Sequence, residues 1–388
     1  MIKKICMLTL VIGGVVLMSS TSSRAQREGF IAVEGANLRT RIDLAVRQGR
    51  AKQTRFWTAY SFDVRPGVAV DVEYHGDWNT NTTIVNGTSV SVGSKIETRN
   101  LGVFMLHEPG DGSIARVEIY NLDRRREYSG YPVYWLGRAG NDESLTYLKG
   151  IVDANQVGDA PKHSIVALAL HDDPRVGGML EDFVRRSSVE RVRSTAVFWL
   201  GQTPGHTSFL VELVRNDQES SKVRKEAAFA IGISKDPGAI AALQGLYSNI
   251  TDREVKKQII FAASVNNSDN PAAASRNDDE GINFLIKVAE SDSDRELRKQ
   301  ALFWLGQRAG NRSLEVLGSV VDKTDDDTEV QKHAVFAISQ RPKNEAIPLL
   351  IKIAKTHPKP AVRKQAMFWL GQTGDERALE FFKEILAK

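Results

Sequence analysis

Lysine returns in this chain at one repeated place. Lys162, Lys225, Lys257, Lys299, Lys332 and Lys364 stand at equivalent points of a recurring segment, with Ser194 breaking the series. An amide row runs beside it: Gln258, Gln300 and Gln365 one residue on, then Gln202, Gln307, Gln340 and Gln372 further along. Ammonium groups and carboxamides in register do not make an acid, a base and a nucleophile. They make a surface that draws in acidic groups and hydrogen-bonds to them, and a basic cleft speeds encounter with an acidic partner. The competing reading is a solvated face whose lysines offset Glu254, Glu296 and Glu329, in exposed pairs contributing about 0–1 kcal/mol each.

Other chemistry is harder to find. There is no Gly-x-Ser-x-Gly, no His-Glu-x-x-His and no nucleotide loop. His163 and His333 hold equivalent repeat positions too far apart in sequence to suggest a shared metal. The acidic turn Asp325-Asp326-Asp327 lacks the alternating spacing and the glycine of a calcium loop, and acids there serve as helix caps. No catalytic residue, metal or cofactor is expected.

The segment carrying these rows is a repeat. AVFWLGQ (Ala196–Gln202) returns as ALFWLGQ (Ala301–Gln307) and AMFWLGQ (Ala366–Gln372), with looser copies at Ala227–Ile233 and Ala334–Gln340. The anchor residues are Tyr134, Val166, Phe198, Phe229, Phe261, Phe303, Phe336 and Phe368, spaced about 32 residues apart except for one wider step after Phe261. Val192, Ala196, Trp199 and Leu200 fall on one face of a helix, and Gly201 reads as its C-terminal cap. A second amphipathic stretch follows each time, such as Arg312–Val321 or Glu345–Ala354. The residue after the anchor alternates between Trp (135, 199, 304, 369) and Ala (167, 230, 262, 337), which predicts tryptophans buried between layers that interdigitate. The anchors themselves should stack between repeats; an exposed aromatic stripe for a ligand is the alternative.

The core Val-Arg-x-x-Ala stands as Val192/Arg193/Ala196, Val223/Arg224/Ala227 and Val362/Arg363/Ala366, with Leu297/Arg298/Ala301 as a variant. Val255-Lys256 and Val330-Gln331 lack the arginine, and the copies near Tyr134 and Val166 lack the pair. This unit resembles the short bacterial HEAT-like repeat known from phycobilin-lyase relatives. The resemblance implies an α-solenoid of about eight helical hairpins over residues 126–388, and an arginine ladder between repeats and loop carboxylates. It says little about activity, because such solenoids host many roles. Lyases of this type act on cysteine-bearing partners inside the cell, which fits this chain poorly.

The wider step contains residues 266–280, polar and without periodicity, which read as a loop insertion. Residues 26–125 have a different texture. A short helix at Asn37–Arg50 precedes alternating runs at 56–64, 68–74, 82–90, 100–108 and 114–122, read as a small antiparallel β-rich domain. At the start, Lys3 and Lys4 lead an apolar run from Ile5 to Met18 and a small-x-small site at Ser23–Ala25. That is the layout of a signal peptide over residues 1–25, with a run too short for a bilayer span of about 20 residues. The chain has 52 basic and 48 acidic residues. Cleavage would remove Lys3, Lys4 and Arg24 and no acid, leaving the signs almost balanced and nucleic-acid binding without support. It would also remove Cys6, the one cysteine. The sequence therefore points to an exported, non-enzymatic scaffold, periplasmic or extracellular, that binds another protein or an acidic polymer on the Lys/Gln rows of a concave face. The alternative is a glycan- or envelope-binding β domain with the solenoid as spacer.

Overall fold

The structure is a computed structural model and describes residues 29–387 except 72–81, 86–87, 93–96, 155–157, 266–270, 309–310 and 324–326. The signal-peptide reading of residues 1–25 lies outside them. Two compact units divide the chain, residues 1–176 and 177–388.

Unit 1 is built on a five-stranded sheet in the order β1-β8-β2-β6-β7: β1 (Ile31–Ala32), β8 (Val133–Arg138), β2 (Phe56–Ser61), β6 (Leu101–His107) and β7 (Ile114–Asn121). The β2, β6 and β7 ladders are antiparallel as the alternation predicts. β1 and β8 add two parallel pairings. β8 corrects the sequence reading: the VYWLGR stretch around Tyr134 is a strand, not a repeat helix. Its Val, Tyr and Trp favour a pleated surface, and Tyr134 is buried edge-on against Phe56 at 5.7 Å. The boundary expected at residue 126 falls within unit 1, which runs to residue 176. A second sheet, in the order β3-β5-β4, comprises β3 (Val68–Val70), β4 (Thr82–Val85) and β5 (Thr88–Val92). The run read as one strand at 82–90 is thus a hairpin, β4 pairing antiparallel with β5.

Helix α1 (Leu38–Arg50) starts where expected, because the Asn37 carboxamide accepts the Thr40 backbone N–H at 2.9 Å. It packs close enough that a Cβ on Gly49 would overlap the Phe56 ring. Trp57, Phe104, Leu106, Leu122 and Val133 form a buried cluster, edged by half-buried Phe30, Tyr120, Tyr128, Tyr131 and Trp135. Helices α2 (Asn141–Asp153) and α3 (Ala160–Ala169), the latter carrying Lys162, His163 and Val166, complete unit 1.

Unit 2 is an α-solenoid. After α4 (Val176–Arg186), first and second helices alternate: α5 (Glu190–Gly201) and α6 (Thr207–Arg215), α7 (Ser221–Ile233) and α8 (Ala239–Asn249), α9 (Arg253–Val265) and α10 (Pro271–Ser291). Then come α11 (Arg295–Gln307) and α12 (Asn311–Asp322), α13 (Thr328–Ser339) and α14 (Lys343–Thr356), α15 (Pro360–Gln372) and α16 (Glu376–Leu386). The chain is therefore a solenoid of helical hairpins preceded by a β-rich region. The stretch read as a loop insertion departs from expectation: residues 271–280 extend α10 to 21 residues. Proline at the first helical position and the alanines after it suit a helix start; residues 266–270 lie outside the described residues.

Candidate functional site

The first helices of unit 2 stack on one another, and a glycine sets how closely. Gly201 is not a left-handed cap: it is the last residue of α5, with ordinary helical backbone. A Cβ placed on it would lie 2.6 Å from the Ala230 carbonyl oxygen of α7. Gly232 meets Ala262 of α9 at 2.5 Å, and Gly306 meets Ala337 of α13 at 2.8 Å. Each Gly thus fits the Ala that follows the next anchor. Where the glycine position holds Ser264 or Ser339, the next repeat carries Trp304 or Trp369 instead.

That rule shapes the aromatic rows. Phe198 stacks on Phe229 with centroids 6.4 Å apart, and Phe229 on Phe261 at 5.6 Å and 4° between planes. Phe261 then meets Trp304 at 4.8 Å, and Trp304 meets its neighbour Phe303. Phe303 stacks on Phe336 at 6.4 Å, Phe336 meets Trp369 at 5.2 Å, and Trp369 touches Phe368. Eight rings make one continuous ladder along the first-helix face. The anchors pack between repeats, as expected, while the residues before them (Val197, Ala228, Ile260, Leu302, Val335) are fully buried. Yet the rings Phe198 to Phe336 are only half-buried, and Phe368 is 54% exposed. The expectation of core tryptophans holds for Trp199, 1% exposed. Trp304 and Trp369 are half-buried members of the ladder, because each replaces an alanine at a wider helix contact.

The lysine row borders this ladder, and the structure changes its character. Lys257 pairs with Glu254 at 2.9 Å, Lys299 with Glu296 at 3.1 Å and Lys332 with Glu329 at 3.0 Å, each three residues apart on one helix. Three of the predicted cations are therefore neutralised locally. Lys225 is half-buried and Lys364 exposed, both without a carboxylate partner among the described residues, and Lys162 belongs to unit 1. A long cationic groove is not what these residues form; alternating acid–lysine pairs beside aromatic rings are. Of the amides, Gln307, Gln340 and Gln372 are exposed at the ends of their helices, Gln258, Gln300 and Gln365 are half-buried, and Gln202 is buried. Beside Lys299, His333 is held below its usual pKa, mainly by burial and then by that ammonium.

The arginine row is structural. Arg193 donates to the Val184 carbonyl at 2.8 Å and to the Glu219 carboxylate at 2.9 Å. Arg224 reaches Val214 at 3.0 Å and Asp252 at 3.5 Å, Arg298 reaches Ala289 at 2.9 Å, and Arg363 reaches His357 at 2.8 Å. Arg193, Arg224 and Arg298 satisfy carbonyls in the last turn of the preceding second helix, which have no partner within it, and Arg363 satisfies those of His357 and Pro358 just past α14. Gln331, which breaks the consensus, does the same: its amide donates to Val321 at 2.9 Å and Lys323 at 2.6 Å. Lys256 does not. Its ammonium lies 4.7 Å over the Tyr247 ring. A second ladder runs along the helix starts, where Arg253 pairs with Asp294 at 2.6 Å and Arg295 with Asp327 at 2.5 Å. Asp294 and Asp327 cap α11 and α13, the role expected of Asp327.

Unit 1 holds a serine–histidine pair that sequence reading missed. The His171 Nε2 lies 2.7 Å from Ser144 Oγ, which lies 3.0 Å from the Tyr60 hydroxyl, and Nδ1 donates to the Ala167 carbonyl at 2.8 Å. All three side chains are buried and Phe62 stacks on the imidazole at 4.2 Å, so the pair lies in the core of unit 1. His107 is placed alike, between Thr58 at 2.9 Å and the Gly112 carbonyl at 2.8 Å. Burial pushes His107, His163 and His171 each down to about 4. Among the described residues no three His, Cys, Asp or Glu side chains converge on a metal position, and no helix is long and apolar enough to cross a membrane.

These features define a helical-repeat solenoid with an aromatic first-helix face. The profile for HEAT repeats matches residues 179–264 and 321–388, so those segments carry HEAT repeats. Solved structures that match in part include human deoxyhypusine hydroxylase in complex with glycerol, 16% identical over 63% of this chain and 90% of that one, TM-score 0.31. The YibA protein of E. coli is 18% identical over 60% and 82%, TM-score 0.32. An engineered protein is 22% identical over 62% and 71%, TM-score 0.30. No curated protein matches in sequence.

Proposed function

We propose that this chain is a non-enzymatic scaffold that holds another protein against the first-helix face of unit 2. The observation that carries it is the continuous ladder of half-exposed rings from Phe198 to Phe368, bordered by acid–lysine pairs and exposed amides. Interfaces draw most of their energy from a few aromatic anchors inside a polar rim. Here the rings would receive apolar side chains of the partner, and Gln307, Gln340 and Gln372 would hydrogen-bond its backbone. The close first-helix contacts at Gly201, Gly232 and Gly306 support reading this face as the inner one of the solenoid, the surface repeat proteins commonly use. The proposal includes export, supported by the residue pattern of Met1–Ala25 alone.

A photo-crosslinker attached at Gln340→Cys tests this, with Glu315→Cys on α12 as the control. Capture of one partner from Gln340→Cys and not from Glu315→Cys, lost when Phe368→Ala is added, is the expected result. Capture from the control position alone would overturn it. A second reading rests on unit 1, where Phe30, Tyr120, Tyr131 and Trp135 lie half-buried at one edge of the core, a platform on which sugar rings could stack. Soluble-glycan binding by the full chain, abolished by Trp135→Ala, would favour it.

A further inference from the structure

The repeat departs from its own pattern where α10 is long and Lys256 replaces the ladder arginine, and a cavity of about 430 Å³ opens there among α8, α9 and α10. A volume of this size is usual for small-molecule sites. Its wall is aromatic: Tyr247 meets Phe284 edge-to-face at 5.2 Å. Its rim is cationic. Lys256 lies 4.7 Å over the Tyr247 ring and Lys287 stands exposed beside it. Neither lysine has a carboxylate partner among the described residues, unlike Lys257, Lys299 and Lys332. One acid lines the cavity, Asp292, and it is already engaged: it accepts the Tyr247 hydroxyl at 2.7 Å and the Asp294 backbone N–H at 2.7 Å. The site thus offers two ammonium groups without a carboxylate partner against one occupied carboxylate, beside an aromatic corner.

We infer that this cavity binds a small aromatic anion, its ring against Tyr247 and Phe284 and its negative group between Lys256 and Lys287. A positively charged ring compound of the same size is refused, because the ammonium groups repel it. The site is lined mainly by the second helices α8 and α10 and uses none of the ladder rings, so it stands or falls separately from the partner-binding face.

Titration calorimetry on the full chain tests it with phenylacetate, phenyl phosphate and benzylamine. Binding of phenylacetate or phenyl phosphate, with benzylamine silent, is expected, and which anion binds more tightly distinguishes a carboxylate from a phosphate ligand. Lys287→Gln, at an exposed position that folding does not need, should weaken the preferred anion at least tenfold, while Lys287→Arg should retain it. Silence of both anions at millimolar concentration, equal binding of benzylamine, or unchanged affinity in Lys287→Gln would each overturn the assignment.

Discussion

Gly232 shows how much one hydrogen atom can decide. Replacing an interior helical glycine by alanine ordinarily stabilises a helix by about 0.5–1 kcal/mol. At Gly232 the new methyl would sit 2.5 Å from the Ala262 carbonyl oxygen, and backbone cannot give way as a side chain can. Gly232→Ala should therefore destabilise unit 2 by about 1–3 kcal/mol. Gly371, equally helical but with open space around its Cα, should respond with the opposite sign. Urea denaturation of the two variants beside the parent reads the difference, and a shared sign would refute the close-approach account. This was only half legible in sequence. The repetition of Leu-Gly was visible, but a helix-ending glycine and a helix-packing glycine look alike until the neighbouring helix is in place. The same limit applies to Tyr134: YWLG resembles FWLG, yet the first lies in a strand because β1 and β2 each pair with one of its backbone edges while no Val-Arg pair precedes it.

At the scale of the element, the arginine ladder is a device for ending second helices, and chemistry matters there more than residue name. Gln331 reaches the carbonyls of Val321 and Lys323 as Arg224 reaches Val214. Gln331→Ala would take the side-chain donor from Lys323 and leave Val321 only the His357 ring nitrogen at 2.8 Å, at a cost of about 1 kcal/mol. Gln340→Ala, removing an exposed amide one helix turn and more away, should shift the thermal midpoint negligibly. Equal effects from the two would mean the ladder contributes nothing. The lysine row predicts the contrary behaviour. Lys332 and Glu329 form an exposed pair, so Lys332→Gln should change stability by less than about 1 kcal/mol and leave circular dichroism unaltered. The sequence showed both rows clearly. What it could not show is that Glu and Lys three residues apart would close on each other, since that depends on rotamers and on which neighbours compete for each charge. Helix α10 was hidden for a related reason: a polar alanine-rich stretch has no apolar period to betray a helix that extends beyond its neighbours.

For the whole molecule, acid separates the two units. His107, His163 and His171 all lie in unit 1, all are buried, and burial holds each folded imidazole near 4. An unfolded histidine titrates near 6.5. Between those values the unfolded chain takes up protons that the folded unit refuses, so stability is fully present above about pH 6.5 and falls as the pH drops towards 4. By pH 4 the loss is of order 3 kcal/mol for each histidine, which for three together is comparable to the whole stability of a typical domain. In unit 2, His333 is only half-buried, though burial and the Lys299 ammonium hold it below its usual value too, and the same window is expected to weaken the helical repeats less. Hydrogen exchange resolved by peptide, corrected for the intrinsic pH dependence and followed from pH 7 to pH 4.5, should show protection lost first in β2, β6 and α3. Protection should persist in α7, α9 and α13 at the same pH. His107→Asn, which cannot charge, should flatten the pH response of unit 1 by about a third; simultaneous loss of protection in both units would show that the buried histidines do not govern its acid lability.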